Sequence, residues 1–169
     1  MKRLINATDR MVRTHPLSPA RPGAFSSPLH NPRVAVSIGR WLGICFTICF
    51  LTGLYSHYLQ EPASWMSFPT RPVWLYRVNQ GLHVATGIAS IPLLLAKLWI
   101  VYPRLFEWPP VRSIAHGLER LSIAVFLASA LLQLFMGLLN TLQWYPWPFT
   151  FRETHFFLGW VIIGSLLVH

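Results

Sequence analysis

The chain has 169 residues, of which 53% are hydrophobic and only 11% charged, and its mean hydropathy is +0.44. An ordinary soluble domain carries about 25% charged residues, so the composition excludes a conventional globular enzyme. The net charge of +9 has the sign of a nucleic-acid binder, but such a chain is not this apolar; the reading left is a membrane protein with a basic cytoplasmic side and no nucleic-acid partner.

Residues 1–33 form a basic arm with Pro16, Pro19, Pro22, Pro28 and Pro32. It lacks the apolar centre of a signal peptide and reads as a flexible cytoplasmic tail touching anionic lipid, with His15 and His30 solvated. The second unit, residues 34–169, holds four membrane-length segments. Residues 41–60 carry no charge, nor do residues 78–96, and after Lys97 the second pattern resumes as far as Tyr102. Residues 121–151 are uncharged, with Pro146 and Pro148 breaking the last third, and residues 154–169 make a shorter fourth run.

A spanning helix needs about 20 apolar residues, and inside a bilayer every backbone polar group must be paired within its own segment. The expectation is an all-α four-helix transmembrane bundle, with helices at about 38–60, 78–102, 117–142 and 154–169. Pro92 is expected to kink the second helix. The fourth run stops on His169, which predicts a natural polypeptide that continues past the end of helix 4. Cys45 and Cys49, both inside the first segment, read as apolar packing.

Loop charges set the predicted orientation. The N-terminal part and the loop between helices 2 and 3 hold 11 of the 14 basic residues, and the other two loops hold Arg71, Arg77 and Arg152. The positive-inside rule places the N-terminus in the cytoplasm. Trp65, Trp74, Tyr76, Trp144, Tyr145 and Trp147 then form an outer aromatic belt.

Seven histidines outnumber the five acids. In this topology His57, His83 and His155 fall near the outer face, and His116 and His169 near the inner one. His155 and His169 lie about 21 Å apart along one face of helix 4, the spacing of two stacked bis-imidazole haems in a four-helix membrane cytochrome. Gly87 follows His83 by four residues and Gly159 follows His155 by four, so each shares a face with its histidine and leaves room for a porphyrin plane. The expected outer pair is His83 with His155, with His57 as an alternative ligand or a propionate partner. The expected inner pair is His169 with His116, with Lys97, Arg112 and Arg120 available to offset propionate charge. The other reading of each histidine is a hydrogen-bonded residue at the membrane interface.

The stretches RPVWLYRVNQGLHVATGIASIPLLLAKLWIVYPRLFEWPPVRSIAHGLERLS and GLLNTLQWYPWPF resemble a bacterial family of membrane domains. In that family a cytochrome b561-like four-helix domain precedes a molybdopterin-dependent oxidoreductase domain of the sulfite oxidase type. The resemblance covers about residues 33–169 and implies a haem b electron carrier, to which the histidine spacing adds two haem sites, one outer and one inner. It also implies electron transfer in the bacterial cytoplasmic membrane, between an extracytoplasmic molybdopterin domain or subunit and a quinone or respiratory-chain partner. The molybdopterin would belong to a downstream domain, so this chain is an electron-transfer component of an oxidoreductase without a complete catalytic site. Where the broader b561 pattern has an inner His-Trp pair on helix 1, this chain reads Arg40-Trp41, which leaves His116 as the available imidazole for His169. Two other functions remain open on the residues alone: a haem-free membrane anchor or assembly subunit for a redox enzyme, and a small proton-coupled transporter with buried histidines.

Overall fold

The computed structural model of the chain describes residues 10–12, 14–15, 18, 27–28, 30–69, 71–105 and 111–168. Most of the predicted arm and the ligand candidate His169 lie outside the described residues. Four helices of membrane length and apolarity follow one another: α1 (Pro32–Gln60), α2 (Trp74–Leu105), α3 (Ile114–Thr141) and α4 (Phe151–Val168). The all-α four-helix expectation holds, and no strand occurs among the described residues.

Each helix begins earlier than charge counting placed it, and at α1 and α3 a side-chain cap sets the start. The Asn31 side chain accepts a hydrogen bond from the Arg33 backbone N–H at 2.9 Å, with Pro32 in the first turn. That combination starts a helix, so α1 opens ahead of the predicted boundary at residue 33. Ser113 caps α3 by accepting from the His116 N–H at 3.2 Å. At the other end of α3 the Gln143 N–H donates to Asn140 O and the Trp144 N–H to Leu139 O, each at 3.1 Å, with Gln143 at φ 53°. This is the left-handed turn that satisfies the last carbonyls of a helix. It directs the chain at once into the aromatic 144–149 loop. The α2 helix runs unbroken through Pro92.

The helices form a ring in which each touches its two sequence neighbours and α4 closes back onto α1. The hairpins α1/α2 and α3/α4 are the tightest pairs, and they meet along α1/α4 and α2/α3. Hence α1 and α3 are diagonal, as are α2 and α4. Leu42, Phe46, Leu94, Ala130 and Ile162 make the central core, with Leu93, Leu98, Phe126 and Leu127 packed against it. Phe46 meets Phe126 edge-on, ring centres 6.0 Å apart. Ile44, Leu51, Leu95, Leu132, Phe135 and Phe157 are exposed on the outside, where burial in lipid tails replaces burial in protein. Trp65, Trp74 and Trp144 are exposed at one end of the bundle and Trp41 and Trp99 towards the other, as aromatic belts at two interfaces require.

At the end opposite the 61–73 and 142–150 loops, Lys97 Nζ donates to the Ala35 carbonyl at 2.7 Å. Gly39 makes this approach possible, since a Cβ there would stand 3.0 Å from Nζ. The His30 ring lies beside Trp99, centres 6.4 Å apart, so this histidine of the arm packs on α2 where the sequence predicted a solvated residue.

Candidate functional site

At the end of the bundle that carries the 61–73 and 142–150 loops, all four helices enclose a cavity of about 420 Å³. Phe46, Phe50, Val84, Ile91, Leu134 and Ile163 make its walls apolar. The residues of the central core close it towards the middle of the bundle. Three of the predicted histidines line it: His57 from α1, His83 from α2 and His155 from α4. Gly87 and Gly159 line it as well.

His83 and His155 face one another from diagonal helices, with ring centres 6.1 Å apart and ring planes at 68°. The His83 ring is held from behind. Its Nδ1 lies 2.9 Å from the Cys49 carbonyl oxygen and 3.1 Å from Thr52 Oγ1. A carbonyl only accepts, so Nδ1 carries the proton and Nε2 keeps its lone pair. Thr52 Oγ1 itself donates to the Ile48 carbonyl at 2.6 Å, which leaves its lone pairs for His83. Cys49 takes part twice: its carbonyl holds the ring, and its thiol lies 3.0 Å from Thr86 Oγ1 and donates to the His83 carbonyl at 3.3 Å. It therefore ties α1 to α2 at the site and is more than the apolar filler its setting predicted.

His155 is fixed differently. Its ring stacks on Phe151, centres 4.8 Å apart, and its backbone carbonyl accepts from Gln133 Nε2 at 3.0 Å. Its Nδ1 is buried and has no hydrogen-bond partner among the described residues.

The glycines clear space around both rings. A Cβ at Gly53 would lie 3.1 Å from His83 Cε1, and one at Gly137 would lie 3.5 Å from His155 Cε1. The glycines singled out by their i+4 spacing serve the helix contacts that border the cavity. A Cβ at Gly87 would lie 3.8 Å from Cys49 Sγ, and one at Gly159 would lie 3.9 Å from Gln133 and Phe50.

His57 sits at the rim. Its ring stacks flat on Phe156, with centres 3.7 Å apart and planes within 9°, and its Nε2 is 3.9 Å from Glu61. Glu61 in turn pairs with Arg152 of α4, so the three residues join α1 to α4 over the mouth. The remaining candidates lie away from the cavity. His116 is in the first turn of α3, and its Nδ1 accepts from the Arg112 N–H at 3.3 Å. That bond places the proton on Nε2, the opposite tautomer to His83. Lys97 is bound to the Ala35 carbonyl, and Arg120 lies two turns into α3 at the same far end.

Gln133, Gly137, Thr52 and Phe156 were not among the sequence-predicted site residues. A signal existed for Gln133, which is the one amide in residues 121–139, since a polar side chain inside a membrane segment marks a site or a helix contact. No group of three His, Cys, Asp or Glu side chains suited to a bare metal ion occurs among the described residues. Two opposed imidazoles instead suit a metal that arrives with its equatorial donors already in place.

Comparison with known protein families, curated proteins and solved structures finds no match to this chain.

Proposed function

We propose that the chain is a membrane-embedded b-type cytochrome domain that holds a haem between His83 and His155. The observation that carries this reading is the opposition of the two imidazoles across the apolar cavity. His83 and His155 would be the residues that hold the group, one from α2 and one from α4, with their rings on the two sides of the cavity. Their ring centres are 6.1 Å apart. When bound, a haem supplies one-electron transfer at a potential set by its axial ligands and surroundings.

The chain's own residues bind and tune. The Cys49 carbonyl fixes the tautomer of His83 and raises its basicity as a ligand, the usual role of a group behind a metal-bound imidazole. Gly53 and Gly137 leave both rings space beside their helices. Phe50 and the other apolar walls lower the local dielectric, so charges at the edge of the site act more strongly than in water. Arg152, at the rim and paired with Glu61, is placed to offset carboxylate charge there.

Direction follows from orientation. With 11 of 14 basic residues in the N-terminal part and the segment joining α2 to α3, the positive-inside rule puts the cavity in the extracytoplasmic half of a bacterial cytoplasmic membrane. Electrons then enter from an extracytoplasmic oxidoreductase, which the resemblance implies is a molybdopterin domain or subunit, and leave towards a quinone or the respiratory chain. An inner haem between His116 and His169 is a separate proposal. It requires His116 to release the Arg112 N–H or to ligate through its other nitrogen.

The test is an absorption spectrum of the protein purified from cells supplied with haem precursor, with haem counted per chain. A Soret band with a sharp reduced α-band is expected. Two haems per chain support both sites and one restricts the reading to His83 and His155, while a colourless protein overturns it.

A further inference from the structure

Three buried side-chain polar atoms have no hydrogen-bond partner among the described residues: Gln133 Oε1, His155 Nδ1 and Trp147 Nε1. Two of them belong to residues that already touch, because Gln133 Nε2 donates to the His155 carbonyl at 3.0 Å. That bond also orients the amide, since exchanging its nitrogen and oxygen would set oxygen against oxygen. The atom left over on Gln133 is an acceptor, and the atom left over on His155 is a donor when Nδ1 carries the proton. Gln133 and Gly137 are four residues apart on α3, so they share a face. The His155 ring lies against that face, with Cε1 3.5 Å from where a Gly137 Cβ would be. On the His83 side the equivalent nitrogen is already held by the Cys49 carbonyl. No backbone carbonyl among the described residues forms a hydrogen bond with His155 Nδ1, so a side chain is left to play that part.

We infer that Gln133 is the positioning residue of His155: its Oε1 accepts from His155 Nδ1–H, directly or across one water, and so presents Nε2 towards His83. The inference rests on the haem reading above. Both axial imidazoles then carry an acceptor behind them, a backbone carbonyl for one and a side-chain amide for the other. Only the second is open to change by substitution. An acceptor on Nδ1 makes an imidazole a stronger electron donor and favours the oxidised metal. Removing it raises the reduction potential, and replacing it with a carboxylate lowers it.

The experiment compares the wild type with Gln133→Leu, which removes the acceptor at similar volume, and Gln133→Glu, which keeps one. Protein carrying ¹⁵N-histidine is examined by NMR in detergent micelles before and after haem loading, with the His155 signals identified by their loss in His155→Asn. The expected result is a hydrogen-bonded Nδ1–H on His155 in the wild type and in Gln133→Glu, and its loss in Gln133→Leu. In the loaded protein Gln133→Leu shifts the reduction equilibrium about three- to tenfold towards the reduced form, tenfold being 59 mV for one electron, and Gln133→Glu shifts it the other way. Unchanged His155 signals and an unchanged potential in Gln133→Leu overturn the inference. Should Gln133→Leu fail to fold, wild-type spectra in which His155 lacks a hydrogen-bonded Nδ1–H overturn it equally. A wild type that takes up no haem overturns the haem reading instead, and the spectra of the unloaded protein still decide the role of Gln133.

Discussion

The imidazoles of His83 and His155 stand 6.1 Å apart, centre to centre, on helices that are diagonal in the bundle. Diagonal placement puts the space between them inside the bundle, where all four helices line it. His57 is on the same cavity but is turned away from this pair, its ring flat against Phe156 and its Nε2 towards Glu61. The three histidines therefore have different expected sensitivities.

Replacing His83 or His155 by Ala is expected to weaken haem binding at least about 100-fold. Even groups one step removed from a metal cost 10- to 100-fold when lost. His57→Ala is expected to keep its haem. Haem per chain, read from the Soret band against protein absorbance, checks this. Full retention in both His83→Ala and His155→Ala with loss in His57→Ala would reverse the assignment.

The clearance at the two rings differs enough to give a graded series. Gly53→Val is expected to displace His83 and cost about 1–3 kcal/mol of haem binding, as overpacking does, because a Cβ alone already comes within 3.1 Å of Cε1. Gly137→Ala is expected to be nearly neutral, since 3.5 Å to His155 Cε1 is ordinary contact. Titration with haemin, alongside circular dichroism to monitor helix content, separates a site effect from a folding effect. Equal behaviour of the two variants would count against the geometry.

Lys97 belongs to the α1/α2 contact at the far end. Lys97→Met is expected to lower thermal stability by about 1 kcal/mol, the usual contribution of one hydrogen bond, because the 2.7 Å bond to the Ala35 carbonyl is lost. Haem at the His83–His155 site should be untouched. Thermal melts in detergent followed at the Soret band test both statements, and loss of that haem would show that Lys97 acts on the site.

Orientation is open to a labelling test. Single cysteines at the exposed Ser67 and Val111, in a background with Cys45 and Cys49 replaced, are expected to react differently with a membrane-impermeant thiol reagent. Ser67→Cys should react on intact cells, and Val111→Cys only after the membrane is opened. Val111 is preferred to Ser113, whose side chain caps α3. Labelling at Val111→Cys alone on intact cells would invert the topology and with it the direction of electron flow.

Four helices, a lipid environment and the shared depth of His57, His83 and His155 were legible in the sequence. Apolar run length and the place of a residue within a run are properties of the chain in one dimension, and the bilayer permits few structures to such runs. The tertiary structure decided which histidines meet. Bringing His83 within 6.1 Å of His155 and stacking His57 on Phe156 depends on how each helix is rotated about its axis and on which helices are diagonal. Both are settled by side-chain packing across the bundle. The same limit applies to the supporting groups. Gly53 lies four residues before His57 in the chain yet makes room for His83 on the next helix, and the acceptor behind His83 is a backbone carbonyl, which every residue possesses and no residue type announces.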